Sequence, residues 1–180
     1  RFQRDFLLAW PVISRYVGKD ADESSERFGQ QIAQHIPSLK KSLAEAPRVF
    51  LHADLRKENL FFDDTAQVAV VLDWQHCRLG RAAVDVASYL FGEAHHMDPG
   101  EEESLLHEYH EALTAEGITG YSYDQCLMDY RMAMINRFVN VGSGLSSVDP
   151  DSKNGNMAVK YLSECSMAAF FRYAKALHFI

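Results

Sequence analysis

The sequence predicts an α+β fold that is mostly α-helical, with its β structure gathered in one short stretch. Three observations point there. Short β-rich runs, Val49–Leu51, Leu60–Phe62 and Val68–Leu72, are separated by polar breaks. Such runs read as strands. Long segments on both sides carry apolar residues at helical spacing. The composition, 47% hydrophobic and 12% aromatic over 180 residues, is that of a chain able to bury a core.

The elements follow in order. Phe2, Phe6, Leu7 and Trp10 recur at helical spacing, and Pro11 is expected to break that run. Residues 20 to 47 read as helix. Asp20, Asp22 and Ser24 are candidate N-caps, and Phe28, Ile32 and Ile36 form an apolar stripe. Pro37 is expected to start a second helical segment carrying Leu39 and Leu43. After the β stretch, a helix is expected near Ala82 to Phe91.

Asp98-Pro99 with Glu101 to Glu103 opens a further helix. Its buried face should be Leu105, Leu106, Tyr109 and Leu113, with Gly117 as its C-cap. Ser122 with Gln125 reads as a capping box for the next helix. That helix carries Leu127, Tyr130, Met134, Ile135 and Phe138 and should fray at Val141-Gly142-Ser143-Gly144. Residues 143 to 155 read as a loop. A last helix is expected from about Met157 to Leu177, with Tyr161, Phe170, Phe171 and Tyr173 largely buried.

Composition excludes several function classes. A net charge of −7 argues against nucleic acid as a partner and offers nothing to a membrane surface. No apolar run reaches the length of a membrane span. The three cysteines, Cys77, Cys126 and Cys165, are far apart with no C-x-x-C, which fits a reduced cytoplasmic setting. His107 and His110 lie near Glu103 and Glu111, but the spacing is not H-E-x-x-H and reads as a polar helix face.

Chemistry is concentrated between Val49 and Leu90. His52 and Asp54 end the first apolar run, Asn59 follows five residues after Asp54, and Asp73 ends the third run. Polar side chains at strand ends are held out toward a ligand by a rigid scaffold. Asn59 and Asp73 would form a hard, oxygen-only site suited to magnesium, completed by water and substrate phosphates. Asp54 is then free to accept a proton from an attacking hydroxyl. The general kinase template has this division of labour, H-R-D-x-x-x-x-N followed by a metal-binding Asp.

The stretch His52-Ala53-Asp54-Leu55-Arg56-Lys57-Glu58-Asn59, with Asp73-Trp74-Gln75 behind it, resembles the catalytic core of aminoglycoside phosphotransferase and choline kinase-like enzymes. Within that group it is most similar to the ecdysteroid kinase-like branch. That pattern runs His-Gly-Asp, four residues, Asn, then Asp-Phe/Trp-Gln/Glu, then Asp-Leu-Ala, matched here by Asp85-Val86-Ala87. Ala53 departs from it, since Gly is usual there.

The resemblance implies a protein kinase-like fold, of which residues 1–180 are a single domain, the C-terminal lobe with a helical subdomain. The nucleotide-binding lobe would then lie upstream of residue 1, and this chain alone would be inactive. The implied reaction moves the γ-phosphoryl group of ATP to a hydroxyl-bearing small molecule, with Mg2+ on Asn59 and Asp73 and Asp54 as base. His52 and Asp85 are implied supports; a helix N-cap is the rival reading of Asp85. Arg56 and Lys57 are candidate phosphate contacts, with solvated loop residues the rival reading. Two other classes stand beside this one: a catalytically silent kinase-like binding module, and an α/β hydrolase with an Asp nucleophile. The second is disfavoured by the lack of D-x-D around Asp54 and of G-x-S-x-G. The acceptor could be an aminoglycoside, a choline-like cation, a steroid or another alcohol.

Overall fold

The computed structural model describes residues 2–16, 23–45, 47–93, 96–149 and 151–176. Six helices and four short strands follow one another: α1 (Phe2–Tyr16), α2 (Glu23–Ala44), β1 (Val49–Leu51), β2 (Leu60–Asp63), β3 (Val68–Val71), β4 (Arg78–Gly80), α3 (Ala83–Glu93), α4 (Pro99–Ala115), α5 (Tyr123–Gly144) and α6 (Lys153–Ala176). The α+β, mostly helical expectation holds for the described residues. The expected caps Asp20 and Asp22, and Leu177 at the end of the last helix, lie outside them.

α5 is the hub of the helical layer. It packs on α1, α2, α3 and α6. Its residues Tyr130, Met134, Phe138 and Val139 are buried with Phe6 and Ile13 of α1, Ile32 of α2 and Phe91 of α3. Phe138 stacks on Phe170 of α6 at 4.1 Å between ring centroids.

Both prolines expected to interrupt helices lie inside them. A helix-interior proline costs about 3 kcal/mol. Burial of Phe6, Trp10 and Ile13 around Pro11, and of Ile36, Leu39 and Leu43 around Pro37, outweighs that cost.

The glycines near 142 also differ from expectation. α5 runs on through Gly144, a 3-10 turn follows at Leu145–Ser147, and α6 begins at Lys153. Gly142 is a close-approach residue. A Cβ there would sit 3.0 Å from Ile13 Cδ1 and 3.4 Å from the Phe6 ring. Gly29 does the same for α1 against α2, with Trp10 ring atoms at 2.6 Å. Leu105, expected on the buried face of α4, is exposed, while Leu106 is buried.

The α4 start has the full capping box, Asp98 with Glu101. At α5 only half of one forms. Ser122 Oγ accepts from the Gln125 N–H, but the Gln125 amide donates to Asp129 instead.

The strands make two antiparallel pairs. β2 and β3 form a hairpin with Phe61 opposite Val70, and Asp63 Oδ1 accepts from the N–H groups of Thr65 and Ala66 in its turn. β4, which sequence patterning missed, pairs with β1, placing Leu51 opposite Arg78. The β stretch is thus two ribbons beside a helical bundle. Among the described residues no helix is long and apolar enough to cross a membrane.

Candidate active site

β1 delivers the chain to His52, Ala53 and Asp54, where α3 meets it. Asp85, in the first turn of α3, accepts the His52 N–H on Oδ2 at 2.7 Å and the Ala53 N–H on Oδ1 at 2.6 Å. One carboxylate thereby holds two consecutive peptide groups. Ala53 sits at φ +67, the left-handed region. Only glycine enters that region freely, so the turn itself accounts for a glycine preference at this position.

His52 is buried and connects two loops. Its Nδ1 accepts the Asp54 N–H at 3.3 Å, which leaves the proton on Nε2 to donate to the Leu72 carbonyl at 2.7 Å. Trp74 packs edge-on against the imidazole at 4.9 Å and stacks on Phe50 at 5.8 Å. The end of β3 is therefore tied to the loop after β1.

Asn59 completes the connection. The 3-10 turn Lys57–Asn59 buries it, and its Nδ2 donates to the Asp54 carbonyl at 3.0 Å. Its own carbonyl accepts the Leu72 N–H at 2.9 Å. The amide nitrogen is committed, so the oxygen is the end left for a ligand. Asp73 follows Leu72 at φ +62 and is exposed, with Oδ2 accepting from the Gln75 amide at 3.1 Å. Asp54, Asn59 and Asp73 are thus joined through one hydrogen-bonded frame in which His52 and Leu72 are the links.

The basic residues divide. Arg56 Nε lies 3.7 Å from Asp54 Oδ2 and 3.9 Å from Glu58 Oε2. Lys57 Nζ lies 3.0 Å from Glu93 Oε1 at the end of α3.

Arg137 of α5 was not foreseen. Its Nη2 donates to Asp54 Oδ1 at 3.1 Å, while its Nε is buried without a partner. The sequence signal was a single cation inside the apolar run Met132–Val141. Another unforeseen cluster lies at the junction of α2, α3 and α5. Arg81 Nη1 donates to both oxygens of the buried Asp129, and its Nε donates to the Ser42 carbonyl. Tyr121 also donates to Asp129; burial, with the Asp129 charge beside it, pushes its phenol above the usual tyrosine range.

His107 stacks on Tyr123, and His110 Nε2 bonds the Tyr121 carbonyl. Among the described residues no three His, Cys, Asp or Glu side chains gather as a metal site. The donors fit magnesium even so. Asn59 Oδ1 and the exposed Asp73 carboxylate are hard oxygens, and Mg2+ keeps much of its shell as water and substrate phosphate.

Comparison with known families states the class, a phosphotransferase. The profile of the phosphotransferase enzyme family (APH) matches residues 2–123, more than half of the chain, and the chain belongs to that family. No curated protein matches it. The matched segment includes Asp54, Asn59, Asp73 and Asp85 and ends before Arg137.

Proposed function

We propose that this chain is the C-terminal lobe of an ATP-dependent small-molecule kinase of the aminoglycoside phosphotransferase and choline kinase-like group, on its ecdysteroid kinase-like side. The observation that carries the reading is the shared frame of Asp54, Asn59 and Asp73, braced from behind by Asp85. Family membership supports phosphotransfer as the chemistry.

Asp54 accepts the proton of the acceptor hydroxyl as its oxygen bonds to the γ-phosphorus. The bond from that phosphorus to the β–γ bridging oxygen breaks, and ADP leaves. Asn59 and Asp73 would hold Mg2+, which supplies charge neutralisation on the phosphates. Arg137 hydrogen-bonds one oxygen of Asp54, and the hydroxyl takes the other, Oδ2, which Arg56 Nε approaches to 3.7 Å without a hydrogen bond. His52 and Asp85 keep the loop rigid, so the base is positioned before substrate arrives. Arg56, beside Asp54, is the nearer candidate for a phosphate contact. Lys57 would have to leave Glu93 to make one.

Phe62 is exposed on one face of the β2–β3 hairpin, and Phe61 is exposed on the other, with its partner Val70 and Val68 beside it. We assign the Phe61 face to contact with a nucleotide-covering lobe. The test is ATP-dependent phosphotransfer in the protein carrying that lobe. Asp54→Ala and Asp73→Ala should each lower turnover by about 10²–10⁴-fold. Turnover within a few-fold of wild type in either variant would overturn the proposal.

A further inference from the structure

We infer that the cavity beneath the β1–β4 ribbon binds a small molecule with an apolar body and an anionic end.

The cavity has a volume of about 610 Å3. Its polar wall consists of Lys40, His76, Arg78, Asn136 and Asn140, and no carboxylate is among the described residues that line it. Phe2, Leu43, Leu51 and Leu79 supply the apolar wall.

The polar wall is built to donate. Lys40 Nζ donates to Asn136 Oδ1 at 3.0 Å and to Asn140 Oδ1 at 2.8 Å, and lies 3.7 Å from the Phe2 ring centroid. An ammonium has donors only, so both amide oxygens must face it. Each carboxamide then turns its NH2 group away from Lys40. The ammonium fixes two neutral donors as well as supplying its own charge.

Arg78 adds a like charge. Burial and this neighbour lower the Lys40 pKa to about 8. An anion in the cavity would relieve both penalties. A cationic ligand would meet two positive groups and, among the described residues of the wall, no carboxylate to accept its hydrogen bonds.

The cavity is distinct from the Asp54 site: Asp54, Asn59, Asp73 and Arg137 are not among the described residues that line it. Asn136 and Arg137 are neighbours on α5, and consecutive helix residues face different directions.

The test is fluorescence titration of the chain with dansylglycine and with dansylcadaverine, one dye body carrying a carboxylate or an ammonium. The carboxylate dye should bind at least about tenfold more tightly. Lys40→Met and Arg78→Gln should each weaken it by about tenfold, the loss expected for one charge-assisted contact. Circular dichroism checks that each variant is folded. Arg78→Gln, at an exposed strand position, carries the test if Lys40→Met does not fold. Equal binding of the two dyes, or unchanged affinity in the folded variants, would overturn the inference. Competitive displacement by Mg·ATP would also overturn it, by placing the nucleotide there. Discrimination between the dyes with a failed Asp54 test would remove the proposed kinase activity and leave the anion-binding cavity standing.

Discussion

Arg137 Nη2 lies 3.1 Å from Asp54 Oδ1, joining residues 83 positions apart in the chain. The pair makes α5 part of the loop that follows β1. It is partly buried, each side chain being less than one-fifth exposed. One oxygen of this carboxylate is fixed by hydrogen bonding, and Arg56 Nε approaches the other to 3.7 Å.

Replacing Arg137 should therefore impair positioning more than binding. Arg137→Gln is expected to lower kcat by about 10²-fold, in the range for a misplaced catalytic group. KM for ATP should stay within a few-fold. Arg137→Lys should recover little, because one ammonium cannot reproduce the guanidinium fork. Steady-state kinetics of the proposed phosphotransfer measures this.

Ala53 at φ +67 carries local strain. Left-handed backbone costs a non-glycine residue about 1–2 kcal/mol. Glycine removes that cost but gains about 0.4–1 kcal/mol of unfolded-state entropy. Ala53→Gly should be neutral to about 1.6 kcal/mol more stable, and Ala53→Val clearly less stable. Urea unfolding midpoints at constant slope separate these outcomes.

Asp129 is nearly inaccessible and takes hydrogen bonds from Arg81, Tyr121 and Gln125. Asp129→Ala leaves the Arg81 charge buried beside α5. The expected loss is about 3–5 kcal/mol, read from the urea midpoint. A loss under about 1 kcal/mol would show the pair to be energetically idle.

Lys40 predicts a pH dependence of stability. The groups facing it are Asn136 and Asn140 of α5, Phe2 of α1 and Arg78 of β4. Its folded pKa of about 8 lies below the ordinary 10.5. Between those values the unfolded chain binds more protons, so this contribution rises with pH. It is complete above 10.5 and is lost as pH falls to about 8. Tyr109, Tyr121 and Tyr130 act oppositely above pH 10, since burial raises their phenols and favours ionisation of the unfolded chain. Cys126 opposes the trend in the same way from about pH 9, because burial raises its thiol from the ordinary 9.0. Subtracting the Lys40→Met variant cancels that contribution, so pH 8 to 10 remains the window to measure. Stability of wild type minus that of Lys40→Met should rise across it, measured by urea unfolding at each pH.

The sequence by itself determined the local features. The runs ending at His52-Asp54 and Asp73 became strands because β-rich residues between polar breaks admit little else. Asp98 with Glu101 became a capping box, because those side chains satisfy backbone groups within one turn. The spacing of His52, Asp54, Asn59 and Asp73 was readable for the same reason, as each sits on a short loop with few conformations.

Tertiary structure decided what depends on distant partners. Pro11 and Pro37 stay in helices because packed faces outweigh a local penalty. Gly142 reads as a breaker in isolation and is a contact point once Ile13 lies against it. β4 has only three residues and becomes a strand by pairing with β1. In sequence Arg137, a lone cation in a mostly apolar run, gives no hint of its partner, and Arg81 and Lys40 look like ordinary surface cations. Their positions against Asp54, Asp129 and the two asparagines exist only after α5 packs, because polar contacts across 48 to 100 residues leave no local pattern.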